Sequence, residues 1–167
     1  MENKRINGQK INPCLWFDKN GEEAANFYVS LFKNSKINAI SRYGKNAPLP
    51  EGTALVVSFE LEGLSFQALN GGPHFKLTEA VSFVINCDTQ KEIDEFWSKL
   101  ALGGEEQQCG WLKDKFGLSW QIVPSRLSEF LDSNDSERAG RVMEQVFKMR
   151  KLDLNILEQA YKGELIS

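Results

Sequence analysis

Gly117-Leu118-Ser119-Trp120-Gln121-Ile122-Val123 has a near copy 54 residues earlier, Gly63-Leu64-Ser65-Phe66-Gln67-Ala68-Leu69, and this pair decides the fold. Each copy alternates. In a strand Leu64, Phe66 and Ala68 point one way and Ser65, Gln67 and Leu69 the other, and Leu118, Trp120 and Ile122 oppose Ser119, Gln121 and Val123 in the same way. The match extends upstream. Leu15-Trp16-Phe17 leads through Asp18 to a helical stripe with Phe27, Tyr28 and Leu31, while Phe83-Val84-Ile85 leads through Asp88 to one with Phe96, Trp97 and Leu100. There the offset is 70 at Asp18 and Asp88 and 69 at Phe27 and Phe96, so the first copy holds extra residues, and the polar run from Tyr43 to Thr53, broken by Gly44, Pro48, Pro50 and Gly52, reads as an insertion. A repeat of this kind fixes architecture ahead of any local reading.

Working outward, the first copy reads as a strand from Lys10 to Phe17, a helix from Glu22 to Phe32, a strand from Lys36 to Tyr43, and a hairpin from Thr53 turning at Glu62-Gly63. The second reads as a strand from Ala80 to Cys87, then a helix opened by the capping box Thr89-Gln90-Lys91-Glu92 and stopped by Gly103-Gly104. Strands follow at about Glu106 to Lys113 and Leu118 to Val123. Each copy is thus β-α-β-β-β, spanning 9–70 and 79–124, joined by Asn70-Gly71-Gly72-Pro73 within one domain, 1–124. A helical extension follows at 125–167, packing on that domain or on a second copy. Its helices are expected at Ser125 to Leu131, at Ser136 to Met149 with Val142, Met143, Val146 and Phe147 inward, and at Leu154 to Tyr161 between Asp153 and Gly163.

Composition narrows the function classes. With 26% charged and 41% hydrophobic residues, the 167-residue chain reads as an ordinary globular protein. A formal net charge of -3 gives no basic face for nucleic acid. No apolar run approaches the roughly 20 residues that span a bilayer. Met1 to Lys10 lacks the apolar core of a secretory signal. Cys14, Cys87 and Cys109 read as three reduced thiols in a cytoplasmic protein.

The chain resembles the vicinal oxygen chelate superfamily, the glyoxalase and bleomycin-resistance fold, and within it the PhnB-like branch. The resemblance rests on Asn12-Pro13-Cys14-Leu15-Trp16-Phe17 with Glu23-Ala24-Ala25-Asn26-Phe27-Tyr28, on Leu69-Asn70-Gly71-Gly72-Pro73, and on Cys109-Gly110-Trp111-Leu112-Lys113-Asp114 through Trp120-Gln121-Ile122-Val123-Pro124. In the tail it rests on Arg141-Val142-Met143, Met149-Arg150-Lys151-Leu152-Asp153 and Leu157-Glu158-Gln159-Ala160-Tyr161. It implies an α+β fold in which two β-α-β-β-β modules form a curved mixed sheet with helices on the convex face.

It also implies where a metal would sit in metal-dependent relatives: about Pro13, Gln67, Val81 or Ser82, and Gln121. Proline and valine offer no side-chain ligand and the glutamines are neutral, so no metal and no other cofactor is expected. The same resemblance places Gln67 and Gln121, with Ser65 and Ser119, on a cavity-lining face, where they either orient a small ligand or tie the modules together. Strand parity puts Trp16, Phe66 and Trp120 in the core and leaves Leu15, Phe17 and Phe83 to line the pocket. Trp111 and the 43–53 insertion flank the mouth, the insertion as a lid or a solvated loop. His74, the one histidine, is a candidate ligand contact in the linker but has no identifiable partner that would make it a base. The functional expectation is a metal-free homodimer binding a small organic molecule. The alternatives are a lyase, isomerase or dioxygenase type enzyme on a small organic substrate, and a structural dimer module with a filled cavity. Some PhnB-like proteins are labelled ubiquinone-pathway methyltransferases. A nucleoside cofactor would need a glycine-rich strand-to-helix turn, and neither Gly71-Gly72 nor Gly103-Gly104 has that context.

Overall fold

The structure is a computed structural model and describes residues 9–131 and 135–164. The reading of Met1 to Lys10 therefore falls mostly outside it. The chain divides into two compact units, Met1–Leu77 and Thr78–Ser167.

The first unit is a four-stranded mixed sheet with one helix. Its strands are β1 (Cys14–Phe17), β2 (Lys36–Arg42), β3 (Ala54–Leu61) and β4 (Leu64–Asn70), in the order β1-β4-β3-β2, and its helix is α1 (Gly21–Leu31). β1 runs parallel to β4 with Leu15 opposite Ala68, and β4 is antiparallel to β3 with Phe66 opposite Phe59. Glu62 and Gly63, at φ 46° and 83°, make the two-residue turn that lets β3 and β4 pair closely. One face of the sheet meets α1. Tyr28 of the helix packs its ring on Phe59, and Gly21 sits against Phe17, Ala68 and Asn70. That face carries Leu15, Phe17, Val57, Phe59, Phe66 and Ala68, all buried.

The second unit repeats the plan. Its strands are β5 (Ser82–Cys87), β6 (Glu105–Glu106), β7 (Trp111–Lys113) and β8 (Ser119–Pro124), in the order β5-β8-β7-β6, with α2 (Gln90–Ala101) against them. Ile85 pairs with Ile122 in parallel, the same register as Leu15 with Ala68 once the two offsets are applied. The internal repeat is thus reproduced pair for pair. Where one strand was expected from Glu106 to Lys113 there are two short ones, because Cys109 and Gly110 take φ 63° and 81° and turn the chain between them. The capping box is also modified. Thr89 accepts the Glu92 amide at 3.2 Å, but Glu92 accepts from Asp88 rather than from Thr89.

The extension forms α3 (Leu127–Leu131), α4 (Ser136–Lys148) and α5 (Leu154–Lys162), with Asp153 capping α5 and Gly163 ending it in the left-handed region. These helices bury Phe130, Val142, Val146, Leu152, Leu157 and Ala160 together with Val123 of β8. Phe147, expected inward, is 65% exposed. Only the Val142 and Val146 stripe of α4 is covered, so the residue beyond it faces solvent.

The fold is therefore α+β, and no helix among the described residues is long and apolar enough to cross a membrane.

Candidate functional site

The face of each sheet opposite its helix holds most of the residues that the repeat and the resemblance marked for function. In the first unit β1 and β4 contribute Cys14, Trp16, Ser65, Gln67 and Leu69, joined by Val56, Ser58 and Glu60 of β3. In the second, β5 contributes Ser82, Val84 and Asn86, β8 Ser119, Gln121 and Val123, and β7 Trp111 and Lys113.

Gln67 lies between Cys14 and Ser58, half-buried, and its side-chain amide makes no hydrogen bond among the described residues. Its repeat mate Gln121 lies between Val84 and Trp111 and donates from Nε2 to Ser82 Oγ at 2.9 Å. Gln121 is thus held inside its own unit. Ser65 and Ser119 also correspond, 3% and 0% exposed, and both hydroxyls are buried without a hydrogen-bond partner among the described residues. Such unmet buried polar atoms are uncommon in a folded chain, and finding two at equivalent positions of a repeat is a specific feature. Trp111, half-buried, stands beside Gln121 on the same face.

Four residues lie on the side opposite to the one expected. Leu15 and Phe17 lie on the α1 side of the sheet, 5% and 3% exposed, and Phe83 lies on the parity of Trp120, its ring centroid 5.8 Å away. Leu15 and Phe17 are core, not pocket, and Phe83 is partly buried on the helix-facing side. Trp16, expected in the core, points to the opposite face. Its Nε1 donates to Gly72 O at 2.8 Å and its ring meets Phe75 edge-on at 4.9 Å. A Cβ on Gly71 would sit 2.2 Å from that ring, so only glycine lets the linker lie there. Leu15-Trp16-Phe17 is apolar on both faces, and periodicity alone cannot orient it. Phe66 and Trp120 are buried as expected, at 4% and 2%.

His74 is exposed in the linker, with no carboxylate or thiol hydrogen-bonded to it among the described residues. The 43–53 segment continues the β2–β3 hairpin. Tyr43 N donates to Thr53 O, Gly52 N to Tyr43 O, and Arg42 to both Gly52 O and Glu22.

The donor chemistry does not fit a divalent metal. Register brings Cys14, not Pro13, beside Gln67, while Ser82 rather than Val81 reaches Gln121. The sequence reading missed Cys14 by one position, although the offset of 70 that pairs it with Val84 would have found it. A thiol and an amide in one unit, and a hydroxyl and an amide in the other, supply neither carboxylate nor imidazole. Desolvation raises the Cys14 thiol above its ordinary value, which favours the neutral form over the ligating thiolate. Among the described residues no three of histidine, cysteine, aspartate and glutamate group together as a metal site. Burial, reinforced by Glu92 and Asp88, pushes the Cys87 thiol up to about 12, which favours the neutral thiol.

Two buried polar side chains that the sequence did not flag hold the strands in place. Asn70 accepts from Gly21 N at 2.8 Å and donates to Ala54 O at 2.9 Å. Asp114 accepts from Phe116 N, Leu118 N and Trp120 Nε1.

Among curated proteins none matches this chain. A PhnB protein of Bacillus cereus, itself described as a 3-demethylubiquinone-9 3-methyltransferase, is 40% identical, with 70% of this chain matching 99% of that one at a TM-score of 0.66. A Pseudomonas aeruginosa protein is 21% identical over 70% of this chain and 98% of its own, TM-score 0.58. The fosfomycin resistance protein FosX of Listeria monocytogenes is 18% identical over 77% and 100%, TM-score 0.54, and shares the fold. The family described as 3-demethylubiquinone-9 3-methyltransferase matches residues 9–123, and the chain accordingly belongs to that PhnB-like family of the vicinal oxygen chelate superfamily.

Proposed function

We propose that this chain binds a small, uncharged or weakly polar organic molecule, without a metal, against the sheet face of a unit that carries Gln67 or its repeat mate Gln121. The observation that carries the reading is the free amide of half-buried Gln67, matched in the repeat by a Gln121 that is already oriented by Ser82. An amide offers an acceptor and two donors with no charge, which suits a neutral polar ligand beside apolar side chains such as Leu69, Val56 and Trp111.

The family's descriptive name points instead to methyl transfer from a nucleoside cofactor. Such a group needs free backbone donors at a strand-to-helix turn. Here the Gly21 amide at the start of α1 is taken by Asn70, and the start of α2 is capped by Thr89. The residues at those turns do not fit the cofactor, and no step is routed through it.

Association with a second copy belongs to the same reading, twofold dimers being the commonest oligomers. So does a reducing, cytoplasmic setting, in keeping with three free cysteines.

The test is solvent extraction of the purified protein followed by mass spectrometry. Wild-type protein should release a stoichiometric organic compound that the Gln67→Leu/Gln121→Leu double variant, still folded, lacks. A wild-type extract with no compound would contradict the reading and point to faces filled by the protein's own side chains.

A further inference from the structure

The extension beyond Pro124 reaches the face that carries Gln121. Val123, two residues on and on the same side of β8, is buried in the extension's apolar cluster. The link between α4 and α5 then crosses to the β6–β7 turn. Cys109 N donates to Met149 O at 2.8 Å and Gly110 N to Arg150 O at 2.7 Å, while Gly110 O accepts from Ile122 N at 2.8 Å. Gly110 has φ 81°, and a Cβ there would sit 2.9 Å from Ile122 O and 3.2 Å from Leu152. Turn and link are shaped to each other. The link's other side is fastened to α2, where Gln90 accepts from Leu154 N at 2.8 Å and donates to Leu152 O at 3.2 Å.

From this we infer that the Met149–Leu154 link is a positioning strap for the binding face of the second unit: it fixes the Cys109-Gly110 turn and thereby the direction in which Trp111 leaves the turn beside Gln121. The inference rests on the proposed function for the role of Trp111 and Gln121, but the geometry it asserts is measured without any ligand. The strap lies beyond residue 123, where the family match ends.

The experiment uses the full chain labelled with 5-fluorotryptophan and reads the fluorine resonances of its four tryptophans, with Trp111→Phe assigning one of them. Gln90→Ala combined with Asp94→Ala removes the strap's side-chain anchors to α2, the Gln90 hydrogen bonds and the Lys151 pair with Asp94, and Leu152→Ala removes its contact with the turn. Both should broaden or split the Trp111 line while the Trp97 and Trp120 lines keep their positions. Phe147→Ala, on the exposed side of α4, should move none. If Leu152→Ala does not fold, Gln90→Ala/Asp94→Ala decides. An unchanged Trp111 line in folded Gln90→Ala/Asp94→Ala, or lines that all move together, would overturn the inference. Failure of ligand binding alone would leave this result untouched.

Discussion

The two units spend the same number of strands very differently. In the first, β2 and β3 run for 7 and 8 residues, whereas their counterparts β6 and β7 have 2 and 3. The shrinking offset of the repeat is therefore only partly the 43–53 insertion. Shortened strands account for the rest. The first unit braces its sheet with its own long hairpin, the Arg42 and Glu22 pair and the Tyr43 hydroxyl on Asn70 O. The second has a short hairpin and borrows support from the helical extension. A duplicated framework can thus keep its helix-facing register pair for pair while the support of its other face diverges.

The comparison breaks most visibly at the matched aromatic residues of β4 and β8. Trp120→Ala and Phe66→Ala should each cost about 3 to 5 kcal/mol in urea unfolding, as buried aromatics do. Trp120 should be the costlier, because its loss also takes a donor from Asp114. A near-neutral Trp120→Ala would mean that the faces of the second sheet are reversed.

Next come the two internal braces. Asp114→Ala should cost about 3 kcal/mol, leaving the Phe116 and Leu118 amides without their acceptor, and Asn70→Ala about 2, leaving the Gly21 amide and the Ala54 carbonyl without their partner. Equal and negligible losses would show that neither organises its unit.

The glutamines sharpen the comparison. Gln121→Leu should cost about 1 kcal/mol, since it strips Ser82 of its partner, and Gln67→Leu about 0.5 or less. Collapse of the double variant would assign both residues to structure instead of binding. The smallest effect is expected at Ser65→Ala and Ser119→Ala. Removing an unmet buried hydroxyl should leave stability unchanged or raise it by up to about 1 kcal/mol. A clear loss at either serine would show that its hydroxyl is satisfied in solution.

Much of this was legible in the sequence because β4 and β8 alternate cleanly and repeat each other. The glutamines and serines inherit their face from that alternation. What was not legible lay where alternation fails. Leu15-Trp16-Phe17 is apolar throughout, so its orientation came only with the pairing of β1 to β4. Phe83 was misplaced together with it. The turn at Cys109-Gly110 was hidden because a non-glycine residue takes positive φ there, held by a link some 40 residues away that no local pattern announces. Phe147 fits a helical stripe, but nothing in the stripe says how wide the partner surface is.

The most direct measurement is native mass spectrometry of untagged protein taken straight from cells, which reads subunit count, metal and retained small molecule in one spectrum. A metal-free dimer carrying an organic adduct is the predicted result. A stoichiometric divalent metal on the native chain would contradict it, and would mean that neutral donors such as Gln67 and Gln121 hold a cation after all.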